Sequence, residues 1–246
     1  MFTPEYRNQL REELIAAARQ DKRITGAAVT GSSVLGADDA WSDIDLAFGI
    51  GEPGAMRAAM SDWTQVMYGK HGAVHHMDVV AGASIYRVFL LANTLQVDLA
   101  FSPASEYGAI GPTFRLLFGA AVERPQVIAP EAEHLIGYAW LYALHARSCI
   151  QRGHLWQGEY MISGVRDHVL ALACRRHNLP AVQGRGMDRL PVEVRKPLEA
   201  ALVRTLEPDE LSRAFRVTVE CLLREVKAVD AALAARVERP LLELSV

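Results

Sequence analysis

The stretch 31-GSSVLGADDAWSDIDLAFG-49 sets small residues at one end and two aspartates, Asp43 and Asp45, at the other. From Asp43 onward it alternates as a β-strand does, so Asp43, Asp45 and Ala47 share one face while Ile44, Leu46 and Phe48 share the other. One face is acidic and the other is suited to a core. A second run, 95-LQVDLAFS-102, repeats the pattern, with Gln96, Asp98 and Ala100 opposite Val97, Leu99 and Phe101. If the two strands are neighbours, ordinary strand spacing brings three carboxylates into a patch about 5 to 7 Å across. Carboxylates that close repel and raise one another's pKa unless a cation is shared. Magnesium suits such a patch, because it takes hard oxygen ligands from one or two carboxylates and completes its shell with water and phosphate oxygens.

The other end of the stretch supplies what a phosphate needs. Gly31 has no side chain to obstruct close approach, and the backbone N–H groups around Ser32 and Ser33, at an expected helix start, can face an anion. Phosphate at one end and metal at the other point to a nucleotide.

Outward from this stretch, residues 4 to 20 read as an amphipathic helix and 24-ITGAAVT-30 as a short strand. Pro53 opens a helix to about Lys70, and HHMDVV is a further strand. SIYRVFLLA and LQVDLAFS are separated by Asn93 and Thr94 alone, which predicts an antiparallel hairpin. After Pro125 strand signals give way to helical segments near 130–152, 157–177, 192–205 and 208–236. The first of these is apolar nearly all round and is expected to be buried in a bundle. The fold class is therefore α+β: an N-terminal domain over 1–126 with a small mixed β-sheet flanked by helices, then an all-helical bundle over 127–246.

Composition narrows the function classes. The chain has 246 residues, half of them hydrophobic, enough for a folded core, and a net charge of −3 that gives no reason to expect a nucleic-acid backbone as main partner. Its 22 arginines and 4 lysines are scattered and mark no basic patch. The N-terminus, MFTPEYRNQLREEL, is charged where a secretory signal needs a continuous apolar run, and no window is long and apolar enough to span a membrane, so a cytoplasmic protein is expected. Cys149, Cys174 and Cys221 lie far apart in apolar helical context and read as reduced core residues.

Gly31-Ser32, ten residues, Asp43-Ile44-Asp45 within SDIDL, and a later Asp98 in an apolar strand resemble the signature of the DNA polymerase β-like nucleotidyltransferase superfamily. The resemblance implies that Gly31 and Ser32 bind the phosphates of ATP or another nucleoside triphosphate, that Asp43 and Asp45 hold two magnesium ions, and that Asp98 serves metal or the acceptor hydroxyl. Two such ions, about 3.5 to 4 Å apart, stabilise the attacking and leaving oxygens of an in-line displacement at the α-phosphate. Chain size, the helical second half and the hairpin YRVFLLANTLQVDLAF are similar to the small aminoglycoside and lincosamide nucleotidyltransferases. That likeness implies a small-molecule hydroxyl as acceptor and, in the helical domain, an acidic general base.

Other residues carry two readings each. Ser33 either takes the role of Ser32 or caps the helix. Arg87 either contacts the triphosphate or forms a surface ion pair. Lys70 suits the C-terminal dipole of its helix. His71, His75 and His76 lack a fourth ligand for zinc. Glu159, Ser163 and Arg166 share a helix face, and Glu159 is chosen as the base, against a plain solvated face. Trp140, Tyr142, Trp156 and Tyr160 either line a substrate pocket or belong to a core. The apolar helical half also offers a homodimer interface. The rival functions are nucleotidylation of a protein or RNA, in the manner of antitoxin-type members, and a non-catalytic nucleotide-binding module.

Overall fold

Thr3 starts the first helix, α1 (Pro4–Gln20): its hydroxyl accepts a hydrogen bond from the Tyr6 amide at 3.2 Å, and Pro4 occupies the first turn, where its missing N–H costs nothing. The computed structural model describes residues 1–36, 38–125 and 129–245. It divides into two compact units, Met1–Val127 and Ile128–Val246.

In the N-terminal unit α1 is followed by β1 (Ile24–Thr30), β2 (Ile44–Ile50), α2 (Met56–Lys70), β3 (Ala73–Ala81), β4 (Ser84–Leu91), β5 (Gln96–Pro103) and β6 (Phe114–Gly119). The six strands form one mixed sheet in the order β3-β4-β5-β2-β1-β6. β2 and β5 run parallel, while the other neighbouring pairs are antiparallel. The β4–β5 hairpin turns at Asn93 and Thr94, with Thr94 at φ 72° and the Asn93 side chain accepting from the Leu95 amide at 3.1 Å. β6 is an edge strand that the sequence reading did not contain, because FRLLFG lacks a clean alternation.

The two faces of the sheet differ in kind. Leu46, Phe48, Leu99 and Phe101 point to α1 and α2, where Phe48 meets Trp63 at 4.8 Å between ring centroids and Phe101 at 5.5 Å. Each such fully buried side chain contributes roughly 1.5 to 3 kcal/mol. Trp63 also donates through Nε1 to Asp21 Oδ2 at 3.0 Å, tying α2 to the turn before β1. Bidentate bonding from Arg23 holds the Asp21 carboxyl down at about 2. The opposite face carries small residues, Ala28, Ala47 and Ala100, covered by Tyr107, whose hydroxyl donates to the Ala47 carbonyl at 3.3 Å.

Among its described residues the regular elements of the C-terminal unit are helices: α3 (Ala132–Gln151), α4 (Leu155–Arg176), α5 (Val192–Ala200), α6 (Pro208–Val229) and α7 (Ala231–Leu244). Ala139, Ala143, Ala146, Ile162, Val165, Val169, Val219 and Leu222 fill its centre. Three expectations are corrected here. α3 is not buried all round, since Tyr138, Trp140, Leu141 and Leu144 are each about 40% exposed. α5 stops at Ala200, because Arg213 captures the carbonyls of Ala200 and Leu202 at 2.6 and 2.9 Å. The segment expected at 208–236 is two helices, broken where Asp230 becomes extended and caps the Leu233 amide at 2.8 Å. Cys149, Cys174 and Cys221 are buried free thiols. Among the described residues no helix is long and apolar enough to cross a membrane.

Candidate functional site

β2 and β5 lie side by side in parallel, and their register pairs Asp45 directly with Asp98. Side-chain alternation then turns both carboxylates to the small-residue face of the sheet. Asp43 lies one residue before β2 begins, yet one carboxylate oxygen from each of Asp43, Asp45 and Asp98 falls within 4.8 Å of the others. The convergence read from the alternation is thus present, and all three residues are half-buried.

The Gln96 amide bridges part of this cluster, donating to Asp98 Oδ1 at 3.0 Å and to Asp43 Oδ2 at 3.4 Å. Asp98 is pushed up to about 6. Burial is the main cause, the Gln96 hydrogen bond opposes it, and the charge of Asp43 adds to it. Val88, paired with Asp98 across the β4–β5 ladder, is one of the apolar neighbours. Mutual repulsion, which the sequence reading put first, ranks behind desolvation. Both causes are relieved by a bound cation, and three hard oxygen donors on one half-buried patch are the ligand chemistry magnesium takes. The donor set therefore fits a divalent metal.

Gly31 sits against this cluster at φ 72°, ψ −156°, a region nearly closed to other residues. A Cβ there would lie 1.9 Å from Asp45 Oδ2, so glycine is needed for the aspartate to hold its place. Ser32 to Leu35 form a single 3-10 turn, whose first amides have no carbonyl behind them within the turn. Ser33 spends its hydroxyl on the Thr30 carbonyl at 3.2 Å, which favours its turn-holding role over a phosphate contact. The Ser32 side chain is exposed.

Arg87 is not brought to the aspartates. Its register partner is Leu99, so it points to the helix-covered face, where it forms a bidentate pair with Asp78 at 2.7 Å and donates to Thr64 Oγ1 at 2.7 Å. Of its two readings the structure contains the ion pair. Lys70 pairs with Glu13 at 3.0 Å. His76 Nδ1 meets the Tyr68 hydroxyl at 3.0 Å, and among the described residues the three aspartates alone form a group with metal-ligand spacing.

In the C-terminal unit, Ser163 donates to Glu159 Oε1 at 2.6 Å, and Arg166 pairs with Asp167 at 3.2 Å. Next to this stripe Tyr160, Tyr142, His168, Tyr138 and His134 form a chain of ring contacts with centroids 4.7 to 6.4 Å apart. Tyr142 lies against Gly164, where a Cβ would come within 2.5 Å of its ring. Core placement is corrected for Tyr160, 62% exposed, Trp156, 79%, and Trp140, 41%, whereas Tyr142 packs against the helical core. The chain of rings was not read from the sequence, although the spacing His134, Tyr138, Tyr142 on one helix and Tyr160, Gly164, His168 on the next contains it.

No family model and no curated protein matches the chain. Among solved structures, an aminoglycoside 6-adenyltransferase from Bacillus subtilis is similar over 99% of this chain and 99% of its own, at 12% sequence identity and a TM-score of 0.44.

Proposed function

We propose that the chain is a magnesium-dependent nucleotidyltransferase that moves a nucleoside monophosphate from ATP or another nucleoside triphosphate to a hydroxyl of a small molecule, releasing pyrophosphate. One observation carries this reading: the carboxylates of Asp43, Asp45 and Asp98 converge within 4.8 Å of one another beside the turn at Gly31, where a Cβ would clash with Asp45.

Asp43, Asp45 and Asp98 would hold the metal, and magnesium bound there supplies Lewis-acid stabilisation of charge on the α-phosphate and the departing pyrophosphate. Gly31 and the backbone amides of Ser32 and Ser33 take the phosphate oxygens. The acceptor oxygen forms its bond to the α-phosphorus as the bond to the β-phosphate oxygen breaks, and the hydroxyl proton passes to a carboxylate. Glu159, oriented by Ser163, is our choice for that base. The tyrosine and histidine rings beside it suit the apolar face of a sugar or cyclitol, so aminoglycosides and lincosamides are the acceptors to test first.

The test is pyrophosphate release with magnesium and each of the four ribonucleoside triphosphates, against aminoglycosides, lincosamides and simpler polyols, with Asp43→Asn as blank. Release that requires one acceptor, together with a nucleoside monophosphate mass added to it, is the expected result. Silence across the panel with nucleotide still bound contradicts the small-molecule acceptor and moves weight to a macromolecular one or to a sensor.

A further inference from the structure

Asp45 and Asp98 are fixed by the β2–β5 register, whereas Asp43 lies outside the ladder, where the 3.4 Å bond from Gln96 reaches its carboxylate and the loop that leads into it sets its backbone. That loop is a tight turn: Asp39 Oδ1 accepts from the Trp41 amide at 2.8 Å and from the Ser42 hydroxyl at 3.0 Å, and the same hydroxyl accepts from the Asp39 amide at 2.9 Å. These bonds close the turn on itself. Its tie is to α1. Arg7 is 3% exposed, and its Nη1 donates to the carbonyl oxygens of Asp39, at 2.5 Å, and Ser42, at 3.3 Å. Asn8 Oδ1 accepts from Nε and Nη2 of the same guanidinium at 3.3 and 3.2 Å, which fixes its plane. Asp38 adds a second tie, to Arg11 at 2.9 Å, with Arg7 Nη2 at 3.8 Å.

A guanidinium is costly to bury, and it is tolerated here because each of its three nitrogens meets an oxygen. Core packing alone asks nothing of an arginine at this place. Its bonds end on the carbonyl of Ser42, the residue immediately before Asp43. We infer that Arg7 is a positioning residue for the metal centre: it clamps residues 38–42 onto α1 and thereby sets the carboxylate of Asp43 against Asp45 and Asp98. The inference rests on the proposed metal-dependent reading of the aspartate cluster.

The experiment is calorimetric titration of the full chain with Mn²⁺, free of nucleotide, in wild type, Arg7→Met, Asp43→Asn and the double variant. Wild type is expected to bind, and Arg7→Met to bind about tenfold more weakly, as is typical when a group that orients a metal ligand is lost. The double variant should bind no more weakly than Asp43→Asn alone, because Arg7 acts through Asp43. A merely structural role for Arg7 would lower the melting temperature without that dependence on Asp43. Equal Mn²⁺ affinity of wild type and Arg7→Met overturns the inference and leaves the metal site standing, and so do losses that multiply in the double variant. Absence of Mn²⁺ binding by wild type overturns both. If Arg7→Met does not fold, Asp38→Ala loosens the same clamp from the loop side. A severalfold weaker Mn²⁺ affinity is then expected, and an unchanged one overturns the clamp.

Discussion

The two units handle polar chemistry in different ways. In the N-terminal unit carboxylates stand on a sheet face floored by Ala28, Ala47 and Ala100, and hydrogen-bond register sets two of the three. In the C-terminal unit, polar and aromatic groups lie along the outer side of a helix pair, held by ring contacts and single hydrogen bonds over a core of small and branched residues. A sheet can hold like charges together at fixed spacing because the ladder on both sides resists their repulsion. A helix surface presents groups that are spaced by turns and free to adjust, which suits recognition of a ring-shaped molecule better than binding of a small hard cation.

The largest effect should come from the register-fixed pair. Asp45→Asn removes a proposed ligand of a metal that would contribute several kcal/mol to charge stabilisation, so a loss of about a thousandfold or more in turnover is expected, with the circular dichroism spectrum unchanged. Turnover close to wild type would break the contrast between the units. Gly31→Ala should act on the same pair by force, driving a Cβ to within 1.9 Å of Asp45 Oδ2 at a backbone angle that costs about 1 to 3 kcal/mol outside glycine. Loss of both Mn²⁺ affinity and several degrees of melting temperature is the measurement that checks it.

In the helical unit Arg176→Met strips a bidentate partner from Glu225, which is 5% exposed. Leaving that carboxylate buried and unpaired should cost about 2 to 3 kcal/mol in denaturant unfolding, lessened by the partly open arginine end. Mn²⁺ affinity should not change.

A smaller effect follows from Asp98, whose carboxyl stands at about 6 against an ordinary 3.8. Between those values the native chain holds a proton that the unfolded chain has lost, so stability of the metal-free protein falls as pH rises through this window. Asp98→Asn should therefore stabilise the metal-free protein by about 1 kcal/mol at pH 7.5, discounted for its open side, and leave it unchanged near pH 3.5. Mn²⁺ affinity of wild type should fall about tenfold per unit below pH 6, since metal must displace that proton. Tyr160→Ala should be the mildest change, within about 0.5 kcal/mol in stability because the ring is 62% exposed, with any effect confined to the KM for the acceptor.

The aspartate face was legible because strand alternation has a period of two and both runs keep it, so Asp45 and Asp98 could be placed on one side before any pairing was known. Arg87 was not, since its fate depends on a cross-strand partner: Asp78 faces it in the β3–β4 register, and the helix-covered side follows from Leu99 opposite. The clamp made by Arg7 left no local signal, because the two carbonyls it holds are 32 and 35 residues away and belong to the backbone. The helical breaks at Ala200 and Asp230 were hidden for a related reason. Arg213 reaching back to carbonyls and a single capping aspartate outweigh a helical pattern that runs through them.

Calorimetric binding of each of the four ribonucleoside triphosphates in the presence of magnesium, repeated in EDTA and with Asp45→Asn, tests the proposed metal-and-nucleotide site most directly. Binding that needs both magnesium and Asp45 is the expected result. Equal binding in all three conditions, or none in any, would contradict a nucleotide site built on the aspartate cluster.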